Sequence, residues 1–265
     1  MNTEKVISDL QQVRENAPLV HNITNYVVMN STANALLSLG ASPVMAHAVE
    51  EVEEMASIAS AVVLNIGTLS EKWIEAMFKA GKKAKEKGVP VILDPVGAGA
   101  TTLRTETAKK IIDDVQPDIV RGNASEILAL LKADAQTKGV DSSASSDDAV
   151  EIAKELANTK NCIVSISGKT DYITDGKSVI SIGNGDAMLS KVTGTGCAAT
   201  ALTGAFAGVN KNFMEAATGA MVVMGITGEM AGKKADAPGT FQVKFLDALY
   251  QVSDEDIKSK AKISL

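Results

Sequence analysis

Short apolar segments alternate with longer amphipathic segments along most of this 265-residue chain. The clearest apolar segments are residues 61–67, 90–95 and 162–166, and each is separated from the next by a stretch of helix-forming residues. Strands that are apolar on both faces are typical of a parallel sheet covered by helices on each side. The pattern therefore predicts an α/β fold with a mainly parallel central sheet and helices on both faces.

The same pattern gives a predicted order of elements. Predicted strands are residues 18–27, 43–46, 61–67, 90–95, 118–123 and 162–166, followed by a hairpin at 172–174 and 178–182. The hairpin has a type I′-like turn signal at Asp175-Gly176-Lys177. Predicted helices are residues 3–15, 30–39, 49–60, 71–87, 104–115, a segment from about 125, and 147–158. We expect the polar segment 136–148 to be exposed and the C-terminal third to be almost wholly helical.

The length and composition indicate one domain. Hydrophobic residues make up 45% of the chain and aromatic residues only 3%, so a large core would consist mainly of aliphatic side chains and methionine. No linker or change in composition divides the sequence. We therefore expect a single domain over residues 1–265.

Charge and hydropathy argue against several classes of partner. The net charge is −6 and the sequence pI is about 5.1, whereas a nucleic-acid-binding face needs clustered positive charge. No apolar stretch is long enough to span a membrane. The polar N-terminal segment is unlike a signal peptide. Two cysteines, Cys162 and Cys197, are too few for a disulfide framework or a zinc site. We expect a cytoplasmic protein that binds neither nucleic acid nor membrane.

Polar or glycine residues follow each predicted parallel strand. They are Asn25, Met45 with His47, Gly67-Thr68, Asp94, Arg121 with Asn123, and Ser167-Gly168-Lys169. In open α/β sheets, ligands bind beyond the carboxyl ends of the strands. This coincidence predicts a ligand site at that edge of the sheet.

A glycine-rich turn precedes a predicted buried helix at Thr193-Gly194-Thr195-Gly196-Cys197. Gly194 and Gly196 have no side chains to hold a ligand away from the main chain. The first amides of a helix lack internal partners and attract anions, phosphate above all. We also expect the helix terminus to lower the pKa of Cys197. The alternative is an ordinary tight loop before a core helix.

Two carboxylates are candidate magnesium ligands. Asp94 ends an apolar strand just before a glycine loop, and hard cations prefer carboxylate and phosphate oxygens. Glu126 lies three residues after Asn123 and could share the metal through water. The structural alternatives are a turn carboxylate before Pro95 and a helix-capping partner, respectively.

Arg121 ends another apolar strand, where its guanidinium needs a carboxylate or a phosphate as partner. The sequence contains no GxxxxGK[ST] motif, no GxGxxG after the first strand and no GxSxG motif. These absences disfavour P-loop enzymes, dinucleotide-binding enzymes and serine hydrolases. His21 and His47 are too few to form a metal site alone.

Taken together, six motifs resemble the hydroxyethylthiazole kinase family of the ribokinase-like superfamily. They are HNITNYVVMNSTAN, SPVMAH, NIGTL, ILDPVGAGAT, IVRGNASEI and TGTGCA, in that order along nearly the whole chain. The resemblance implies a three-layer sandwich and transfer of the γ-phosphoryl group of ATP, with Mg²⁺, to the primary hydroxyl of 4-methyl-5-(2-hydroxyethyl)thiazole. It also implies a homotrimer with active sites between neighbouring subunits.

The resemblance assigns residues to the acceptor side of the site. Met45 and Gly194 match positions that line the thiazole pocket, and Asn25 and Thr68 match nearby positions. Because a thiazole is neutral and partly apolar, Met45 and Val27 are suitable walls.

On the nucleotide side, Arg121 and Ser167 match ATP-contacting positions, and Asn123 joins them as a candidate. Asp94 and Glu126 match the magnesium and phosphate positions. The amides from Gly194 to Gly196 would hold the transferring phosphoryl group.

Cys197 stands where most ribokinase-like kinases carry an aspartate base, and the thiazole kinases share this cysteine. We hypothesise a modest catalytic role for Cys197, because a thiolate of low pKa is also a weak base. The alternative is that the thiol only shapes the pocket.

Other functions remain open at this point. One is a related kinase acting on another small heterocyclic alcohol, such as a hydroxymethylpyrimidine. Another is a non-catalytic nucleotide- or thiazole-binding protein. An ADP-forming dehydratase of the same fold is disfavoured by the cysteine at position 197.

Overall fold

A single sheet of nine strands runs through residues 3–131 and 146–265, the part of the chain that the computed structural model describes. Its strands are β1 (Leu19–Ile23), β2 (Ser42–Val44), β3 (Ala61–Asn65), β4 (Val91–Asp94), β5 (Ile119–Asn123), β6 (Ile163–Ser167), β7 (Asp171–Thr174), β8 (Val179–Ile182) and β9 (Ile263–Ser264). Their order is β2-β1-β3-β4-β5-β6-β7-β8-β9, with β1 to β6 parallel and β7 to β9 antiparallel. The predicted mainly parallel α/β fold is confirmed.

The helices follow the predicted alternation. They are α1 (Thr3–Asn16), α2 (Met29–Leu39), α3 (Val52–Ile58), α4 (Glu71–Glu86), α5 (Thr102–Val115), α6 (Ala124–Leu131), α7 (Val150–Lys160), α8 (Thr195–Val209), α9 (Phe213–Gly232), α10 (Pro238–Gln251) and α11 (Asp254–Lys260). Ser70 caps α4 as expected, its side chain accepting a hydrogen bond from the amide of Trp73. Most of the predicted exposed segment, residues 136–145, lies outside the described residues.

Two hydrophobic clusters lie on opposite faces of the sheet and make the fold three layers. Helices α1, α2 and α8 to α11 cover one face, and α3 to α7 cover the other. Strand β3 shows why the sequence looked apolar throughout: Val63 belongs to the first cluster, whereas Val62 and Leu64 belong to the second. Every residue of β3 and β4 is buried.

Beyond the hairpin, the C-terminal third is almost wholly helical, as predicted, and a short strand there, β9, pairs with β8. One local prediction was wrong. The hairpin turn is not type I′, because that turn needs positive φ at two residues and only Gly176 has it. Instead, the Asp175 carboxylate accepts hydrogen bonds from the amides of Lys177 and Ser178.

No helix in the described ranges is long and apolar enough to cross a membrane.

Candidate functional site

The carboxyl ends of the parallel strands and the N-terminus of α8 enclose a cavity of about 650 Å³. Its volume is in the range of small-ligand sites. The structure brings the following predicted residues together in its lining: Asn25, Val27, Asp94, Arg121, Asn123, Glu126, Ser167, Gly194, Gly196 and Cys197. Met45 and Thr68 are not among its lining residues. We call this space the transfer cavity.

The glycine turn leaves the N-terminus of α8 open. Gly194 has a φ of 86°, and a Cβ there would lie 2.8 Å from Val28 Cγ1, so this position requires glycine. In the described part of the chain, the amides of Thr195, Gly196 and Cys197 have no hydrogen-bond acceptor. This 15-residue helix therefore presents unpaired N–H groups and its positive dipole end to the transfer cavity.

Asp94 is held through one of its two oxygens. Its Oδ2 accepts hydrogen bonds from Asn65 Nδ2 at 2.7 Å and Thr200 Oγ1 at 2.8 Å. Burial raises the pKa of Asp94 to about 7; the Arg121 guanidinium opposes that shift and the Glu126 carboxylate adds to it. This carboxyl group is therefore easily shifted between its charged and neutral forms by whatever binds beside it.

Glu126 takes part in the capping arrangement considered as its structural alternative. Its amide donates to Asn123 Oδ1 at 2.9 Å, while its Oε2 accepts from the Asn123 amide at 2.8 Å. Its Oε1 accepts from the Gly97 amide at 2.9 Å. Burial raises the pKa of Glu126, and these two backbone hydrogen bonds oppose the shift. The carboxylate is thus fixed in orientation at the wall of the cavity.

The two carboxylates do not form a complete metal site. Within residues 3–131 and 146–265, no group of three or more histidine, cysteine or acidic side chains could hold a metal ion. However, both hydrogen bonds to Asp94 reach Oδ2, which leaves Oδ1 without a donor there. An oxygen-rich pair that must be completed by phosphate and water fits Mg²⁺, which usually keeps several such ligands.

Arg121 lies between these acids and the glycine turn. Only 7% of the residue is exposed, and its Nη1 donates to the Gly196 carbonyl at 2.9 Å. Its buried Nε has no hydrogen-bond partner among the residues that the structure describes. Burial raises the pKa of both Asp94 and Glu126, and the positive charge of the guanidinium opposes that rise. The two acids are therefore the negative partners that a buried arginine needs. A buried, incompletely bonded guanidinium is also ready to bind an anion.

A second cavity of about 520 Å³ adjoins the first and shares Arg121 and Ser167 with it. Its far wall is apolar and includes Met221 and Met224. Ser167 Oγ donates a long hydrogen bond, 3.4 Å, to the Gly122 carbonyl. The two spaces together extend from the glycine turn toward α9, which is enough room for an elongated ligand.

The expectation for Cys197 was wrong. Burial raises the pKa of its thiol to about 12, and the negative charge of Asp94 adds to the shift. Desolvation therefore outweighs the helix terminus. The Sγ atom accepts a hydrogen bond from Asn25 Nδ2 at 3.5 Å, so the neutral thiol belongs to a polar network rather than acting as an exposed nucleophile.

The remaining predicted acceptor-side residues lie in or beside the loop after β1. Val27 is 66% exposed although it lines the transfer cavity. Thr68 Oγ1 accepts a hydrogen bond from the Tyr26 amide at 3.1 Å and so holds this loop. Met45 follows the edge strand β2, and its carbonyl interacts with His47 Nδ1 at 3.1 Å. The structure thus separates Met45 from the residues around Asp94.

Sequence reasoning missed three residues of the network. Asn65 ends β3 in register with Asp94, and Thr200 reaches the same carboxylate from α8. Arg104 lines the transfer cavity and donates to the carbonyls of Val96 and Gly67 at 2.7 and 2.6 Å. Asn65 carried a usable signal, a polar residue at the end of an apolar strand, which is the feature that identified Asp94.

The comparisons with known proteins identify a family. A family model described as "HK: Hydroxyethylthiazole kinase family" matches residues 10–255. The chain is 58% identical to the hydroxyethylthiazole kinase of Leptospira biflexa over 257 residues, which cover 97% of this chain and 96% of the relative. It is 53% identical to that of Methanococcus maripaludis over 260 residues, covering 98% and 97% of the two chains.

Solved structures give the same result. The hydroxyethylthiazole kinase of Pyrococcus horikoshii OT3 superimposes with a TM-score of 0.91 at 45% identity, covering 98% of both chains. The pyridoxal kinase of Staphylococcus aureus, at 17% identity and a TM-score of 0.59 over 80% of this chain and 87% of its own, shares the fold alone. The match over almost the full length, at these identities, shows that the chain belongs to the hydroxyethylthiazole kinase family.

Proposed function

We propose that this chain transfers the γ-phosphoryl group of ATP to the primary hydroxyl of 4-methyl-5-(2-hydroxyethyl)thiazole, giving the thiazole phosphate used in thiamine salvage. As a member of its family, the chain is an enzyme, a phosphotransferase with an alcohol as acceptor. The observation that carries the proposal is the open end of α8, which faces Asp94 and Arg121 across one cavity. Phosphoryl transfer needs this combination of positioning and charge stabilisation more than covalent chemistry.

The groups proposed to bind the phosphates of ATP are backbone amides and polar or positively charged side chains. The free amides of Thr195, Gly196 and Cys197 would hold the transferring phosphoryl group, since they carry partial positive charge and need no reorganisation. Arg121 would add a full positive charge. Ser167 and Asn123, at the ends of neighbouring strands, are the proposed further contacts to ATP.

Asp94 and Glu126 are the proposed magnesium ligands. The bound ion would neutralise charge on the phosphate oxygens during transfer. Asp94 would use Oδ1, because Oδ2 already accepts two hydrogen bonds. Glu126, whose oxygens each accept a backbone amide, would act through water.

The acceptor alcohol would lie between the loop after β1 and the glycine turn. Asn25, Val27 and Gly194 line this side of the transfer cavity, and Thr68 holds the loop in place. Cys197 would contribute shape and a neutral thiol rather than a strong base, because of its raised pKa.

A neighbouring subunit would complete the acceptor side. Tyr26 and Val27 are 62% and 66% exposed, although Val27 lines the cavity. Met45 follows an edge strand and does not reach the cavity of its own subunit. These features support the homotrimer with intersubunit sites that the family resemblance implies. Light scattering on the purified protein should give three times the mass of one chain, and a monomeric active enzyme would refute this part of the proposal.

A coupled assay tests the activity. ADP formation is measured with the thiazole alcohol, with a hydroxymethylpyrimidine, and with no acceptor; the phosphorylated product is identified by mass spectrometry. We expect acceptor-dependent turnover with the thiazole alcohol. Preference for the pyrimidine alcohol would instead favour a related heterocycle kinase.

Asp94→Asn separates an enzyme from a binding protein. We expect this substitution to abolish most turnover while the thiazole alcohol still binds, because the carboxylate acts on the phosphate side. A wild-type protein that binds both ligands without turnover would favour the non-catalytic alternative.

A further inference from the structure

Asn65 joins the two halves of the transfer cavity although it does not line the cavity itself. It is the last residue of β3, it is 1% exposed, and it lies in register with Asp94 on β4. Its amide contacts Asp94 on the phosphate side and Asn25 on the acceptor side. A single buried side chain therefore connects the two groups that must be correctly spaced for transfer.

The orientation of the Asn65 amide is fixed by the main chain. A backbone N–H can only donate, and the Gly67 amide lies 3.0 Å from Asn65 Oδ1. The other end of the amide must then be Nδ2, which donates to Asp94 Oδ2 at 2.7 Å. Asp94 is thereby held with Oδ2 occupied and Oδ1 left for a ligand.

The same constraint sets the orientation of Asn25. Because Asn65 Oδ1 is an acceptor, Asn25 must present Nδ2 to it, which it does at 2.9 Å. Its second side-chain hydrogen bond, to Cys197 Sγ, is also donated by Nδ2. Within the described residues no donor reaches Asn25 Oδ1, so this oxygen is available to accept a hydrogen bond from an alcohol hydroxyl.

The packing around Gly67 supports this ordered chain of amides. A Cβ on Gly67 would lie 2.6 Å from Asn25 Nδ2, so the backbone approaches the Asn25 side chain as closely as glycine allows. Asn25 itself is 4% exposed. The amide has little space in which to rotate.

We infer that Asn65 is a positioning residue of phosphoryl transfer: it orients Asn25 to accept the hydroxyl of the acceptor and Asp94 to present one oxygen to the phosphate side. The inference rests on the proposed function. Through Asn65, binding of the alcohol and alignment of the phosphate-side carboxylate depend on the same hydrogen-bond network.

The test replaces Asn65 with serine and compares it with Asn22→Ser. Asn22 is another fully buried asparagine, on β1, and among the described residues its side chain donates only to the Val20 carbonyl. We expect Asn65→Ser to lower kcat by about 10²-fold, the size expected for a displacement of about 1 Å. Its Kd for ADP should stay within about threefold of wild type, its Tm should match that of Asn22→Ser, and Asn22→Ser should retain the wild-type kcat.

A double-mutant cycle with Asn25→Ala distinguishes positioning from general loss of structure. If Asn65 acts through Asn25, adding Asn25→Ala to Asn65→Ser should cost less than about a third of what Asn25→Ala costs alone. Multiplicative losses, or a kcat for Asn65→Ser within about twofold of Asn22→Ser, would overturn the inference. A parallel fall of kcat, ADP affinity and Tm would also overturn it, since that is what a structural role predicts.

The inference can still be tested if the serine variant does not fold or if the wild-type protein lacks the proposed activity. If Asn65→Ser does not fold, Asn65→Asp keeps an oxygen acceptor for the Gly67 amide and Asn25 but replaces the donor to Asp94 with a second carboxyl group. Because like charges at this distance repel, kcat should fall at least as far as expected for Asn65→Ser, and an Asn65→Asp enzyme with the wild-type kcat would overturn the inference. If the wild-type protein does not phosphorylate the thiazole alcohol, the proposed function fails. The inference is then decided by the crystal structure of Asn65→Ser, in which an unmoved Asn25 and Asp94 would overturn it.

Discussion

Replacing Cys197 should cost this enzyme little. With a pKa of about 12, only about 3 × 10⁻⁵ of the thiol is ionised at pH 7.5. A positioned general base typically contributes about 10²- to 10⁴-fold to the rate, and such a small ionised fraction cannot supply that contribution. Cys197→Ser, which retains a polar atom for Asn25, should therefore keep kcat within about fivefold of wild type, and Cys197→Ala within about tenfold.

The assay is steady-state ADP release at saturating thiazole alcohol between pH 6 and pH 9. Cys162→Ala is the matched control, because Cys162 is also buried and has a pKa raised to about 12, yet it does not line the transfer cavity. If Cys197→Ser lost more than about 10²-fold in kcat while keeping its Tm and its ADP affinity, the thiol would have to act as the base. Our reading of its environment would then be refuted.

Three other predictions concern the glycine turn and the buried charges. Gly194→Ala should lower Tm and reduce kcat/KM by up to about 30-fold, since left-handed backbone strain and the clash with Val28 together cost about 2 kcal/mol. Gly239→Ala is the control, because a Cβ there meets no described atom within 4 Å, and an unchanged Gly194→Ala enzyme would contradict this prediction. Arg121→Met should move the acidic limb of the kcat/KM profile to higher pH, because the guanidinium lowers the pKa of Asp94. Arg121→Lys keeps the positive charge and should lower kcat without moving that limb. Equal pH profiles for the two variants would count against an effect of the Arg121 charge on Asp94. Without metal, the free energy of unfolding should fall as pH rises from about 4 to about 7, because the folded state keeps a proton on Asp94 that the unfolded chain releases. Urea titrations at several pH values should show this fall in the wild-type protein and a smaller one in Asp94→Asn.

Much of the fold could be predicted from the sequence because its main determinant is local. A strand buried on both faces is apolar along its whole length, as in β3 and β4, and no partner needs to be known to recognise it. The short strand β9 has no such pattern. It forms because the chain end passes the open edge of β8, and that proximity is a tertiary result.

The candidate site was predictable to the extent that strand ends are visible in the sequence. Asp94 and Arg121 were identified in this way, and the structure brings them to one cavity. The raised pKa of Cys197 was not predictable, because it depends on how much of the thiol is removed from water by packing. The separation of Met45 from the cavity could not be predicted either, since it depends on the edge position of β2 in the sheet.

The charges of the site explain why a metal ion is expected to accompany the nucleotide. Asp94 and Glu126 share the cavity with Arg121, and each acid has a pKa raised by burial despite that guanidinium. The polyphosphate of ATP would add further negative charge to this poorly solvated space, and the helix terminus contributes only a partial positive charge. A divalent cation would restore the balance and would also return Asp94 to its charged form, because a nearby positive charge lowers the pKa of a carboxyl group. Under the proposed function, the buried acids would disfavour nucleotide alone and favour nucleotide with metal, so the cost of burying them would select that pair of ligands.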